Sequence, residues 1–160
     1  MMNTLKDFLK NSQGKWFVQQ NIYNLWEEKV SNSKYNIEYN LDSRESIIKQ
    51  NILSGILEYQ LLKFSWNDTS NYFIILNSIS THTSQGLLIR FNLLQPLKYL
   101  QGTFSMDKNN SLIIFLTDGD KRIYEKVWFE SSNFKLNFTI LKQFGYSLAT
   151  SFNSELRIIK

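Results

Sequence analysis

From Gly55 to its C-terminus the chain is a succession of short strand-like runs. They read "ILEYQLLKFSW", "NYFIILNSIS", "GLLIRFN", "KYLQGTFSM", "SLIIFLT", "RIYEKVWFE", "FKLNFTILKQF" and "SLATSFNSELRII". Turn signals separate most of them: Asn67-Asp68, Gln85-Gly86, Lys108-Asn109-Asn110, Asp118-Gly119-Asp120 and Ser131-Ser132-Asn133. No helix alternates with these runs, which argues against a parallel sheet. A meandering antiparallel barrel satisfies the pattern. It closes its own edges and can hold one small ligand inside.

The segment before Gly55 adds two strands and two helices. "NTLKDFLKN" puts Leu5, Phe8 and Leu9 on one helical face, a short helix that ends near Asn11 to Gly14. "KWFVQQNIYNLW" repeats Trp16, Val18 and Ile22 at strand spacing, with Gln20 interrupting that face. In "YNIEYNL", Tyr35, Ile37, Tyr39 and Leu41 alternate with Asn36, Glu38 and Asn40. "LDSRESIIKQNIL" predicts a second helix near 43–53, with Asp42 as cap and Glu45 at capping-box spacing. The expected fold is therefore all-β, an antiparallel barrel of about ten strands with two helices. It occupies one domain, 1–160, because a chain this long buries about 70% of its unfolded surface in a single core.

Composition removes several chemistries. There are no cysteines, so disulfides, cysteine-ligated zinc and thiol catalysis by this chain are excluded. The one histidine, His82 in "STHTSQG", reads as a solvated loop residue. A net charge of +4 suits an acidic ligand, but no clustered basic stripe marks a nucleic-acid binder. No apolar run approaches the ~20 residues of a membrane helix. The opening "MMNTLKDFLKNSQGKW" has neither a signal-peptide core nor the character of a transit peptide. The expectation is a protein made where it works, or one whose targeting segment is missing. Enrichment in Asn, Ile and Lys hints at an AT-rich genome such as a plastid's.

Candidate site residues lie on the strands. Lys135, Asn137 and Thr139 share one face, opposite Phe134, Leu136, Phe138 and Ile140. Alternation alone favours solvent for the polar set, although in a barrel the inner face can be a ligand cavity. Trp66, in "FSWND", either packs at a rim or walls a pocket for a flat ligand. Asp118, Asp120, Glu125 and Glu155 are the carboxylates of the second half that could reach a cavity. None of their spacings matches a glycosidase pair, a metal site or a phosphate loop, and "TDGD" reads as a hairpin turn.

The segment "GTFSMDKNNSLIIFLTDGD…YEKVWFESSNFKLNFTILKQFGYSLATSFNSELR" resembles the S-type phycobiliprotein lyases, the CpcS/CpeS family. "FLKNSQGKWFVQQ", "FSWND" and "GLLIRFN" are similar to that family's front half, so the resemblance covers nearly the whole chain. The "GKW" tripeptide also resembles the lipocalin signature, which implies that Trp16 closes the barrel floor and Arg157 packs over it; the lyase resemblance implies the same lipocalin-like barrel. It further implies a lyase that binds an open-chain tetrapyrrole, phycocyanobilin or phycoerythrobilin. Such a lyase delivers the bilin to a cysteine of an apo-phycobiliprotein, where a thioether forms.

Carried over by position, Glu125 is the candidate catalytic carboxylate, facing the pyrrole N–H groups. Trp66, Lys135, Asn137, Thr139, Gln20 and Glu155 are candidate bilin-binding residues. Lys135, Asn137 and Gln20 stand where the family carries arginines. Bilin propionates are thus left to these residues, or to Arg90, Lys126 or water. No metal is expected. A homodimer or a sister lyase subunit is a possible partner; nucleic acid and membrane insertion are not expected. Two alternatives stay open: a non-catalytic bilin carrier, and one subunit of a heteromeric lyase. The expected compartment is the plastid of a red alga or cryptophyte, or a cyanobacterial cytoplasm.

Overall fold

The computed structural model describes residues 5–41, 60–66, 70–78, 85–92 and 99–159, with side chains described over 5–41, 65, 85–90 and 99–159. Helix α1 (Leu5–Ser12) leads into β1 (Gly14–Asn24) and β2 (Lys29–Leu41). Then come β3 (Gln60–Trp66), β4 (Ser70–Ser78), β5 (Gln85–Asn92), β6 (Tyr99–Met106), β7 (Leu112–Asp118), β8 (Lys121–Ser131), β9 (Phe134–Gln143) and β10 (Tyr146–Arg157). Each strand pairs antiparallel with its sequence neighbour, and β1 also pairs with β10, so the ten strands form a closed ring. Closure leaves none of these ten strands with a free edge to recruit another chain.

The second helix near 43–53, the Asn67-Asp68 turn and His82 lie outside the described residues. The turn expected at Gln85-Gly86 is instead the start of β5. Gly86 pairs there with Ser78 on one side and Phe104 on the other. A glycine beside a polar residue signals a turn only where the ladder is broken, and here it is not. The Asp118-Gly119-Asp120 hairpin forms as expected between β7 and β8, with Gly119 at φ +58°. Another close approach needs glycine: a Cβ on Gly102 in β6 would overlap the backbone carbonyl of Phe115 in β7.

Helix α1 packs into the apolar core of the barrel. Phe8 and Leu9 of α1 are buried there with Trp16, Val18, Ile37, Leu112 and Ile114. Phe8 meets Phe129 edge-on at 5.2 Å, and Trp16 meets the same ring at 6.1 Å. The Trp16 indole donates to the Ser12 carbonyl at 2.9 Å, which fixes the end of α1 against the barrel. Arg157 stacks over Trp16, its guanidinium 4.2 Å from the ring centroid. That guanidinium also donates to the carbonyls of Asn11, Gln13 and Ser132. One side chain thus ties the helix C-terminus, where a cation is favoured, to the β8–β9 turn and the last strand.

A candidate ligand cavity in the barrel

Above this floor the barrel is hollow. A cavity of about 410 Å³ opens between the walls, within the range of small-molecule sites. Strand register stacks its polar lining in layers. On β9 the inward residues are Lys135, Asn137 and Thr139; on β10 they are Glu155, Asn153 and Ser151. The two sets face each other directly as Lys135–Glu155, Asn137–Asn153 and Thr139–Ser151 pairs. Gln20 of β1 lies level with Asn153 and also lines the cavity. The apolar residues between them, such as Phe152 and Leu156, turn outward and are exposed. These strands therefore have the reverse of the usual greasy-inside pattern.

The lowest layer is an ion pair. Lys135 Nζ lies 2.9 Å from Glu155 Oε2, and both residues are only 2% exposed. The ammonium sits 3.9 Å from the Tyr39 ring and 4.7 Å from the Trp16 ring. Burial holds the Lys135 pKa below its ordinary value, and the Glu155 charge works against that shift. The Tyr39 hydroxyl donates to Glu155 at 3.3 Å; burial first, then that carboxylate's charge, push its pKa well above the usual value. It therefore stays a neutral donor. Lys135 faces the cavity, but its charge is committed to the floor.

The middle layer centres on Glu125 of β8. Its Oε1 accepts from the Asn137 amide at 2.7 Å and its Oε2 from Arg90 Nη2 at 3.1 Å. Thr139 in turn donates to Asn137 Oδ1 at 3.1 Å, which fixes the amide's orientation toward the carboxylate. Apolar walls come from Ile37, Leu112, Ile114, Ile123 and Val127. A carboxylate held by two donors over an apolar wall can accept hydrogen bonds from ligand N–H groups, or exchange a proton with a ligand.

Of the residues singled out in the sequence, Gln20, Glu125, Lys135, Asn137, Thr139 and Glu155 meet in this one cavity. Trp66 ends β3 at the register position of Ile37 on one side and Ser70 on the other. Asp118 and Asp120 are exposed at the β7–β8 hairpin and take no part. Lys126 lies outside the lining, 3.7 Å from Asp107 on the neighbouring hairpin and over the Trp128 ring. It alternates with Glu125, so a strand that points one residue inward must point the next outward.

Five polar lining residues were not singled out as site residues in the sequence: Ser12, Tyr35, Tyr39, Ser151 and Asn153. The last two had a legible signal, since "SFNSE" mirrors "KLNFT" at period two. Among the described residues no group of three or more His, Cys, Asp or Glu could hold a metal ion, and no helix is long and apolar enough to cross a membrane.

Comparison with known proteins places this barrel among relatives. Residues 4–158 match the CpeS-like protein family. The chain is 29% identical to the "Chromophore lyase CpcS/CpeS homolog" of Pyropia yezoensis, covering 98% of this chain and all of that one. It is 24% identical to "Chromophore lyase CpcS/CpeS 1" of Synechocystis, over 94% of this chain and 89% of the relative. Its fold is similar to that of the S-type phycobiliprotein lyase CpeS from Guillardia theta. The TM-score is 0.75, with 15% identity over 99% of this chain and 95% of the other. With a family match spanning almost every residue and the lipocalin-like barrel to go with it, the chain belongs to the CpeS-like family.

Proposed function

We propose that this protein is a phycobiliprotein chromophore lyase. It holds an open-chain tetrapyrrole, phycocyanobilin or phycoerythrobilin, in the barrel and passes it to a cysteine of an apo-phycobiliprotein subunit. The observation that carries this reading is the Glu125 carboxylate, fixed by Arg90 and Asn137 in the cavity wall of a chain of this family. A bilin presents pyrrole N–H donors to such a group. The carboxylate would favour a protonated bilin, which makes the A-ring ethylidene a better electrophile.

The bond-forming step is an addition. The acceptor thiolate forms a C–S bond at the ethylidene, and the proton given up by the thiol ends on the tetrapyrrole, with no leaving group and no redox change. The nucleophile belongs to the acceptor, so a chain without cysteine can serve. The barrel's contribution is to hold one conformer and to keep water and stray nucleophiles away. The same reading assigns the work to a plastid stroma or a cyanobacterial cytoplasm.

Mixing the purified protein with each bilin should give a red-shifted absorbance, and no complex with either would end this reading. Co-expression with an apo-phycobiliprotein subunit and a bilin source should give an acid-stable, fluorescent product. Binding without that product would make the protein a carrier, or one subunit of a heteromeric lyase. Glu125→Gln should retain bilin but lose most of the transfer.

A further inference from the structure

Two polar atoms of the cavity are buried and have no hydrogen-bond partner: Arg90 Nε and Asn153 Oδ1. Buried polar atoms are almost always satisfied in native proteins, and an exception inside a cavity points to a missing partner. The two are complementary, since Nε–H is a charged donor and Oδ1 an acceptor. They also come from opposite walls. Arg90 is on β5 and Asn153 on β10, five strands apart in either direction around the ring of ten.

The cavity's other charges are already spent. Its described lining has two basic residues, Arg90 and Lys135. Lys135 is sealed in the floor against Glu155. Among the described residues Arg90 gives only Nη2 to Glu125, a one-point contact that leaves the Nε edge of its fork open. A guanidinium with one edge free is a ready receptor for a planar carboxylate.

We propose that Arg90 is the anchor for a ligand carboxylate and that Asn153 accepts an N–H from the same ligand across the cavity. The ligand class is an elongated organic acid carrying N–H donors. The identity of that acid as a bilin rests on the function proposed above; the anchor does not. Docking there shares one guanidinium between the ligand's carboxylate and Glu125, which brings Glu125 alongside the bound acid.

The test titrates three proteins with phycocyanobilin, with its dimethyl ester, and with anilinonaphthalene sulfonate as an unrelated apolar anion. The proteins are the wild type, Arg90→Met, and Arg90→Met/Glu125→Gln; the last removes the ion pair as a unit and leaves no buried lone carboxylate. Melting curves check that each is folded. The wild type should prefer the free acid over the ester by about tenfold, the scale of one charged hydrogen bond. Both variants should bind acid and ester alike. A folded variant that keeps the wild-type preference overturns the proposal, and so does a wild type with no preference. If the wild type ignores the bilin yet binds the sulfonate through Arg90, the bilin reading falls and the anchor stands. If it binds none of the three probes, both fall.

Discussion

At the scale of single residues, Lys135 shows how a position's role depends on its neighbour. By alternation it is a surface lysine; by register it faces the cavity; by contact it is the cationic half of a buried pair with Glu155. Desolvating both charges offsets much of their attraction, so the pair contributes little net stability, whereas breaking it is costly. Lys135→Met should destabilise the protein by about 3–5 kcal/mol, because Glu155 is left buried and unpaired. Lys135→Met/Glu155→Leu should recover most of that loss. Urea denaturation of the two variants checks both statements, and a single variant as stable as the double would place the ammonium in solvent after all.

What the sequence made legible at this scale was which residues gather, not how they pair. Six of the polar strand positions read from it line one cavity. Their partners were hidden because a contact such as Arg90 with Glu125 spans β5 and β8, and side-chain reach is set by barrel curvature rather than by spacing along one strand.

At the scale of elements, one hairpin carries backbone strain and another an acid-sensitive carboxylate. Phe144 and Gly145 join β9 to β10 with φ of +51° and +81°. Both values fit the two-residue turn whose twist matches the strands. Glycine adopts this freely, but a phenylalanine does so at a cost, and Phe144 is exposed and gains little in return. Phe144→Asn should raise stability by about 1 kcal/mol, the scale of the left-handed penalty, seen as a higher melting temperature.

The β6–β7 hairpin is built on Asp107. Its carboxylate accepts from the backbone N–H groups of Asn109 and Ser111 at 2.9 and 2.8 Å. Burial would raise its pKa, but those bonds and the Lys126 charge together lower it below the usual value of about 3.8. A depressed carboxylate binds fewer protons folded than unfolded, so its stabilisation is complete above the unfolded pKa and is lost as pH falls through the folded one. Asp107→Asn keeps the turn's acceptor and removes the charge. Its urea midpoint should fall less between pH 5 and pH 2.5, roughly the range over which a depressed carboxylate titrates, than the wild type's does. Parallel curves would remove Asp107 from the acid response.

At the scale of the whole molecule, the barrel inverts the ordinary partition of polar and apolar surface along β9 and β10. Strand count and antiparallel order were readable because turn spacing and period-two alternation encode them locally, whereas the Trp16–Arg157 floor was readable only through the resemblance of "GKW" to a known signature. The sense of the alternation was not readable, since a strand with a polar cavity on one side and an exposed apolar face on the other has the same period as its mirror case. A hollow, polar interior costs stability wherever a buried group lacks a partner, and Asn153 Oδ1 is such a group. Asn153→Leu exchanges an unsatisfied acceptor for apolar volume in a cavity that has room for it. An orphaned buried polar atom costs about 1–3 kcal/mol, so the variant should be about 1 kcal/mol more stable by urea denaturation. The same change removes the acceptor that a ligand would satisfy, so bilin binding should weaken by about tenfold, one lost hydrogen bond's worth. Opposite signs in the two assays are what a binding site kept open against folding stability requires. A variant that loses both stability and binding would instead make Asn153 a structural member of the wall.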